Sequence, residues 1–243
     1  MRSKKFFSEQ GLLSFDLSIS DLMAALCCIF VLILIGVIVQ LNQAKKEFDF
    51  KNAIAEKYVN MQYEMYLDLV EEFGPDLDKW NAEIDPTTLA IRFLGNEVNF
   101  DADKAEIKNR YKSILQDFFP RLLKIIYKDK YRNEIDEIRI EGHTARSNLR
   151  IQKGIFSEED DYKNGIILSQ ERTANVLVYC LTNTKYSIDK NWVRNKFVAN
   201  GYSSSRPFLN ESNSPDWEKS RRVEFRIKTN SDNIVKQYQK SGK

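Results

Sequence analysis

The apolar and polar positions of this chain fall into three regimes along its length. From Leu22 to Val39 there is no charged residue, and a run of about 18 such residues is just long enough to cross a bilayer as one helix. Asp21 sits at its mouth. A carboxylate there is costly if it is ionised and unpaired. Its position supports two readings: an ion-carrying site inside a helix bundle, or an interfacial cap, because Ser18-Ile19-Ser20-Asp21 also reads as a helix start. The run exceeds the roughly 7–15 apolar residues of a signal-peptide core, and no small-residue cleavage pattern follows it. It is expected to be a retained anchor.

Beyond the anchor, residues 43–73 are charged and aromatic, without Gly or Pro. Phe50, Ile54, Tyr58, Met61, Met65 and Leu69 recur at helical spacing, which predicts one long amphipathic helix ended by Gly74-Pro75. It reads as a stalk, or as a helix that pairs with a second copy or plugs a pore. A third regime then alternates strands and helices. Thr88–Leu94 reads as a strand with a turn at Gly95-Asn96. A helix is predicted over 102–128, with Ile107, Tyr111, Ile114, Leu115, Phe118, Leu122, Ile125 and Ile126 buried and a bend at Pro120. Glu137–Glu141 alternates as a half-buried strand. An acidic irregular loop at Ser157–Asp161 precedes a second helix over 168–183, and Val223–Lys228 is the last strand. The fold class is α+β: a single transmembrane helix, a helical stalk, then an α/β sandwich in which helices cover one face of a small mixed sheet. The expected divisions are 1–17, 18–42 for the membrane helix, 43–84 for the stalk, 85–230 for the compact domain and 231–243 for a flexible tail.

A net charge of +2 over 243 residues is too balanced to imply direct binding of nucleic acid. Cys27 and Cys28 lie in the apolar run and Cys180 stands alone, so no internal disulfide framework is expected. His143 is the only histidine. With no nucleophile-base pair and no metal-ligand set around it, neither an enzyme nor a metal site is expected, and His143 reads as structural.

Three patches occur in a telling order: Ile140-Glu-Gly-His-Thr144 at a strand end, Leu168-Ser-Gln-Glu-Arg-Thr-Ala-Asn-Val176, and Ser220-Arg-Arg-Val-Glu-Phe-Arg226 in the last strand. On these residues the domain over 85–230 resembles the OmpA/MotB C-terminal family of peptidoglycan-binding modules. Read physically, Gly142 would permit a tight strand exit at a ligand, and Leu168-Ser169 would open a helix whose free N–H groups receive an anion. Arg172, one turn on, would reach a carboxylate with its fork. Arg221 and Arg222 would face opposite sides of a strand. The resemblance implies wall contacts from Thr144, Asn164, Leu168, Arg172 and Arg221, with Arg172 on the carboxylate of a diaminopimelate-type stem peptide. The family's usual Asp after Gly-His-Thr is here Ala145, and Asn164 lies one residue off the usual spacing to Arg172. Either an acid among Glu158, Glu159, Asp160 and Asp161 replaces the lost carboxylate, or wall binding is altered.

Ser20-Asp-Leu-Met-Ala-Ala25 resembles the ion-carrying segment of MotB-like stator subunits, which implies ion translocation by Asp21, with H⁺ or Na⁺ as the transported ion and no cofactor. The segment Lys196–Ser203 and the polar loop before Glu218–Arg226 are similar to the stator-like B subunits of Zorya anti-phage systems. The implied partners are a multi-span MotA/ZorA-like membrane subunit (five around two copies of this chain), a self-dimer, and peptidoglycan. The implied location is the bacterial inner membrane, with 1–17 cytoplasmic and the C-terminal domain periplasmic. A flagellar or gliding stator and a passive membrane-to-wall tether are the alternatives.

Overall fold

The structure is a computed structural model that describes residues 3–95, 99–147 and 151–230, with backbone alone for 3–19. The tail 231–243 and the turn residue Asn96 lie outside the described residues. The chain divides into two units, Met1–Glu56 and Lys57–Lys243.

Helix α1 spans Ser3–Trp80. Within the first unit its apolar residues from Leu22 to Val39 are exposed, so they build no core. Among the described residues, one helix is long and apolar enough to cross a membrane. Two boundary expectations change. The helix begins well before residue 18, so Ser18–Asp21 is not its start. It also continues through Gly74-Pro75 to Trp80. Pro75 removes one amide donor, and Arg121 binds the neighbouring Glu72 carbonyl at 2.6 Å. The stop is Asn81, which adopts φ 52°, a left-handed terminator that Asn tolerates.

In the second unit, the last part of α1 is no free stalk. Met65, Leu69 and Phe73 are fully buried, and Phe73 and Trp80 meet Phe118 at 5.1 and 6.1 Å. Arg121 ties this helix down through Glu72 at 2.7 Å and Asp76 at 2.9 Å. The spacing of these apolar residues was visible in the sequence, but not the partner they pack on.

Strands β1 (Ala82–Asp85) and β2 (Ala90–Leu94) form a hairpin, so the sheet begins inside the segment expected as stalk. Helix α2 (Asn109–Ile126) starts later than expected, because Phe100 and Ile107 pair antiparallel around the intervening residues. Its apolar positions bury as the spacing predicts. A single turn, α3 (Asp129–Arg132), leads into β3 (Ile135–His143). Helix α4 (Glu158–Asn183) and α5 (Lys190–Lys196) precede β4 (Phe197–Gly201). A two-stranded insert follows, β5 (Phe208–Leu209) with β6 (Pro215–Asp216), then the turn α6 (Trp217–Ser220) and β7 (Arg222–Thr229).

The five-stranded sheet runs β1-β2-β7-β3-β4. Only β3 and β4 are parallel. One face presents Ile91, Phe93, Ile138, Ile140, Val223, Phe225 and Ile227 to the helices. Phe118 meets Phe93 at 5.1 Å and Phe225 at 5.0 Å there. Gly142 and Gly201 pair across β3 and β4 and let α4 approach: a Cβ at Gly142 would lie 2.7 Å from the Ser169 carbonyl oxygen. Gly142 therefore serves helix-to-sheet packing rather than a ligand. The other face is polar. Glu83, Arg92, Glu224, Glu141 and Asn200 stand in one row across all the strands.

Candidate functional site

The acidic stretch expected as an irregular loop is the first turn of α4. Ser157 caps it by accepting from the Asp160 amide at 3.0 Å, and Glu158 to Asp161 fill the first turn, where carboxylates complement the helix dipole. Leu168-Ser169 thus lies well inside a helix. Its amides belong to the helical ladder, and no anion seat opens there.

One face of this helix does, however, gather three of the expected site residues. Asn164, Leu168 and Arg172 recur every fourth residue and share one side. Asn164 and Leu168 line an open cleft of about 340 Å³ with Asp103, Phe156, Ile167 and Glu171. Arg172 is almost wholly buried. Its Nε donates to the Lys104 carbonyl at 2.8 Å and its Nη2 to the Asp101 carbonyl at 3.0 Å. Its guanidinium also lies 4.8 Å from the Phe100 ring centroid. Burial pushes it down to about 10, with Asp103 opposing and Arg221 adding to the fall, so it remains charged at neutral pH. Two of its nitrogens bracket the turn that carries Asp103, a backbone-clamping role that the motif does not reveal.

Arg221 precedes β7 instead of alternating within it, and its carbonyl accepts from the Gly95 amide at 3.1 Å. Thr144 is buried. Its amide donates to the Ser203 carbonyl at 2.9 Å, and its hydroxyl lies 2.9 Å from where a Cβ on Gly165 would sit. It therefore packs behind α4 and does not line the cleft. The structure brings Asn164 and Leu168 together in the cleft, with Asp103 and Glu171, which the sequence reading did not single out. The only signal was the acid pair Asp101 and Asp103 just before Ile107, which the helix prediction absorbed.

A second polar cluster lies under the insert. Glu141, His143 and Glu224 are buried with ligand atoms within 4.8 Å of one another, a spacing that could hold a metal. The charges argue otherwise. Arg222 and Arg226 hold the Glu224 oxygens at 2.5 and 2.9 Å. Arg226 Nε and Arg206 Nη1 face Glu141 at 3.4 and 3.7 Å. Guanidinium groups already supply the positive charge there. His143 stacks on Tyr202 at 5.4 Å, and burial holds its pKa below the ordinary value, with the Glu141 carboxylate 3.8 Å away opposing.

Asp21 lies in the other unit. It is exposed on α1, with helical backbone on both sides. An N-cap must sit where the ladder begins, so the cap reading is excluded.

The chain thus combines an α+β domain that has a cleft on its long helix with a helix long and apolar enough to cross a membrane. No protein-family model matches the chain. It is 39% identical over 215 residues to the Zorya protein ZorB of Escherichia coli, covering 88% of each chain, and it belongs to the ZorB family. Solved structures with a similar fold include a MotB-like protein from Desulfovibrio vulgaris (20% identity, TM-score 0.48, 72% of this chain and 99% of that one). The cell wall anchor of the type VI secretion system of Pseudomonas aeruginosa is also similar (14%, 0.43, 66% and 96%). So is the periplasmic domain of Helicobacter pylori MotB (18%, 0.41, 65% and 87%).

Proposed function

We propose that this chain is the stator-like B subunit of an ion-driven inner-membrane complex that is anchored to peptidoglycan and acts in anti-phage defence. The observation that carries the reading is Asp21: in a ZorB-family chain, a carboxylate lies within a continuous helix at the edge of an otherwise uncharged span. A charge in that position is retained for a task, since it weakens membrane insertion. Two copies of the chain would place two Asp21 carboxylates within a ring of five multi-span subunits. Protonation and release there would alter the fit of helix to ring, and ion entry would drive rotation of the partner. The first residues would lie in the cytoplasm and the domain in the periplasm, held to the wall by the α4 cleft. H⁺ or Na⁺ is the transported ion, and the chain itself catalyses no reaction.

The test is phage protection by the intact operon at matched expression. Asp21→Asn is expected to abolish protection while the membrane complex still co-purifies. Full protection by this variant would sink the ion-site reading and leave a passive tether between membrane and wall.

A further inference from the structure

We propose that residues 231–243, which follow β7, lie along the exposed side of α1 at Val59, Tyr63 and Leu67 and close it off from other chains. The contact is independent of the wall-binding and ion-carrying readings. In the second unit α1 is apolar on two sides. One side carries Met65, Leu69 and Phe73 into the core. The other carries Val59, Tyr63 and Leu67, spaced four residues apart and so stacked in one stripe along the helix. Their exposures are 54%, 62% and 46%, and covering them is favourable in proportion to the apolar area removed from water.

The segment 231–243 starts beside this stripe. The Asn230 amide donates to the Glu134 carbonyl at 2.9 Å, and its side chain reaches the Asn133 carbonyl at 3.5 Å. Those acceptors follow α3, which is fastened to α1. Lys128 Nζ and the Tyr131 hydroxyl each donate to Asp68 at 2.9 Å, and Lys130 pairs with Glu64 at 3.5 Å. Glu64 and Leu67, three residues apart, are neighbours on the helix surface. The chain therefore leaves the sheet on the side of α1 that borders the stripe. The thirteen residues 231–243 reach up to about 43 Å when extended, whereas Val59 to Leu67 takes up only about 12 Å of helix.

The two surfaces also match in chemistry. Ile234, Val235 and Tyr238 are the apolar side chains of an otherwise polar segment, in which Lys236, Lys240 and Lys243 face Asp232 alone in charge. The rim of the stripe is acidic through the exposed Glu64 and Glu71. Apolar groups meet the stripe and lysines meet its rim. Attachment to β7 gives the segment an effective concentration on the order of millimolar, an advantage that a separate chain lacks.

The experiment is photo-crosslinking of the full chain in detergent, with p-benzoylphenylalanine in place of Tyr63 and an equal mixture of ordinary and ¹⁵N-labelled chains. Irradiation is expected to join residue 63 to a peptide from 231–243 of the same chain, so that both joined peptides carry the same label. Ile234→Asp is expected to lower that yield about tenfold, because a carboxylate is poorly placed against an apolar stripe. A chain ending at Asn230 gives a second reading: hydrogen exchange over 57–70 is expected to run about tenfold faster than in the full chain. Joined peptides of mixed label put the segment on another copy, and a crosslink from residue 63 to a second α1 gives the stripe to a dimer; either overturns the proposal. So does the absence of any crosslink to 231–243, or exchange over 57–70 that the truncation leaves unchanged.

Discussion

A methyl group at position 142 would lie 2.7 Å from both the Ser169 carbonyl oxygen and Thr173 Cγ2. The first contact is helix backbone and cannot rotate away, so α4 must lift from the sheet. Gly142→Ala is therefore expected to lower unfolding free energy by about 2 kcal/mol, as overpacking does. Urea unfolding followed by tryptophan fluorescence measures it, and an unchanged midpoint would refute the close approach. The same scale shows why the motif could be read while its roles could not. Arg172 stood out in the sequence, but its acceptors lie 68 and 71 residues away, beyond any spacing rule. Thr144 was marked by the strand-end pattern, which is silent on whether the side chain faces a ligand or the back of a helix.

The elements were most legible where a single period governs them. Tyr111 to Ile126 on α2 and the alternation of β3 and β7 could be read directly. The start of α4 could not, because a run of acids looks like a loop until a cap and a helix dipole are placed against it. Alternation also hid what the polar face of β3 and β7 would do. Burial alone would raise Glu224, yet Arg222, His143 and Arg226 carry it below its ordinary 4.5, while burial holds His143 below 6.5. In both cases the unfolded chain binds the proton first, so stability rises with pH. His143's contribution is complete above about pH 6.5 and falls away as pH drops toward its folded value. Glu224's follows below 4.5. The denaturation midpoint is expected to fall from pH 7 to 5, and His143→Gln to flatten that window while reducing, without abolishing, the loss at lower pH, because Arg222 and Arg226 still hold Glu224 down. An unaltered slope in the variant would remove His143 from the account.

Over the whole molecule, the sequence marked the order of the parts better than their limits. The domain was expected from Asp85, yet the core draws on Met65, Leu69, Phe73 and Trp80. Each such buried side chain stabilises by about 1.5–3 kcal/mol, so the four together rival the roughly 5–15 kcal/mol that holds a typical domain folded. A chain beginning at Lys57 is expected to melt cooperatively, and one beginning at Ala82 to show no cooperative transition by calorimetry. Equal melting of the two would return the end of α1 to the role of a stalk.

The strand order has one more consequence, for timing. β7 is the last strand among the described residues, yet it lies between β2 and β3, which do not pair with each other. Until residue 229 has emerged from synthesis or export, the two halves of the sheet have no common neighbour and the core stays open. Chains usually fold from the N-terminus onward. Here the apolar span of α1 has its whole length available before the domain can close.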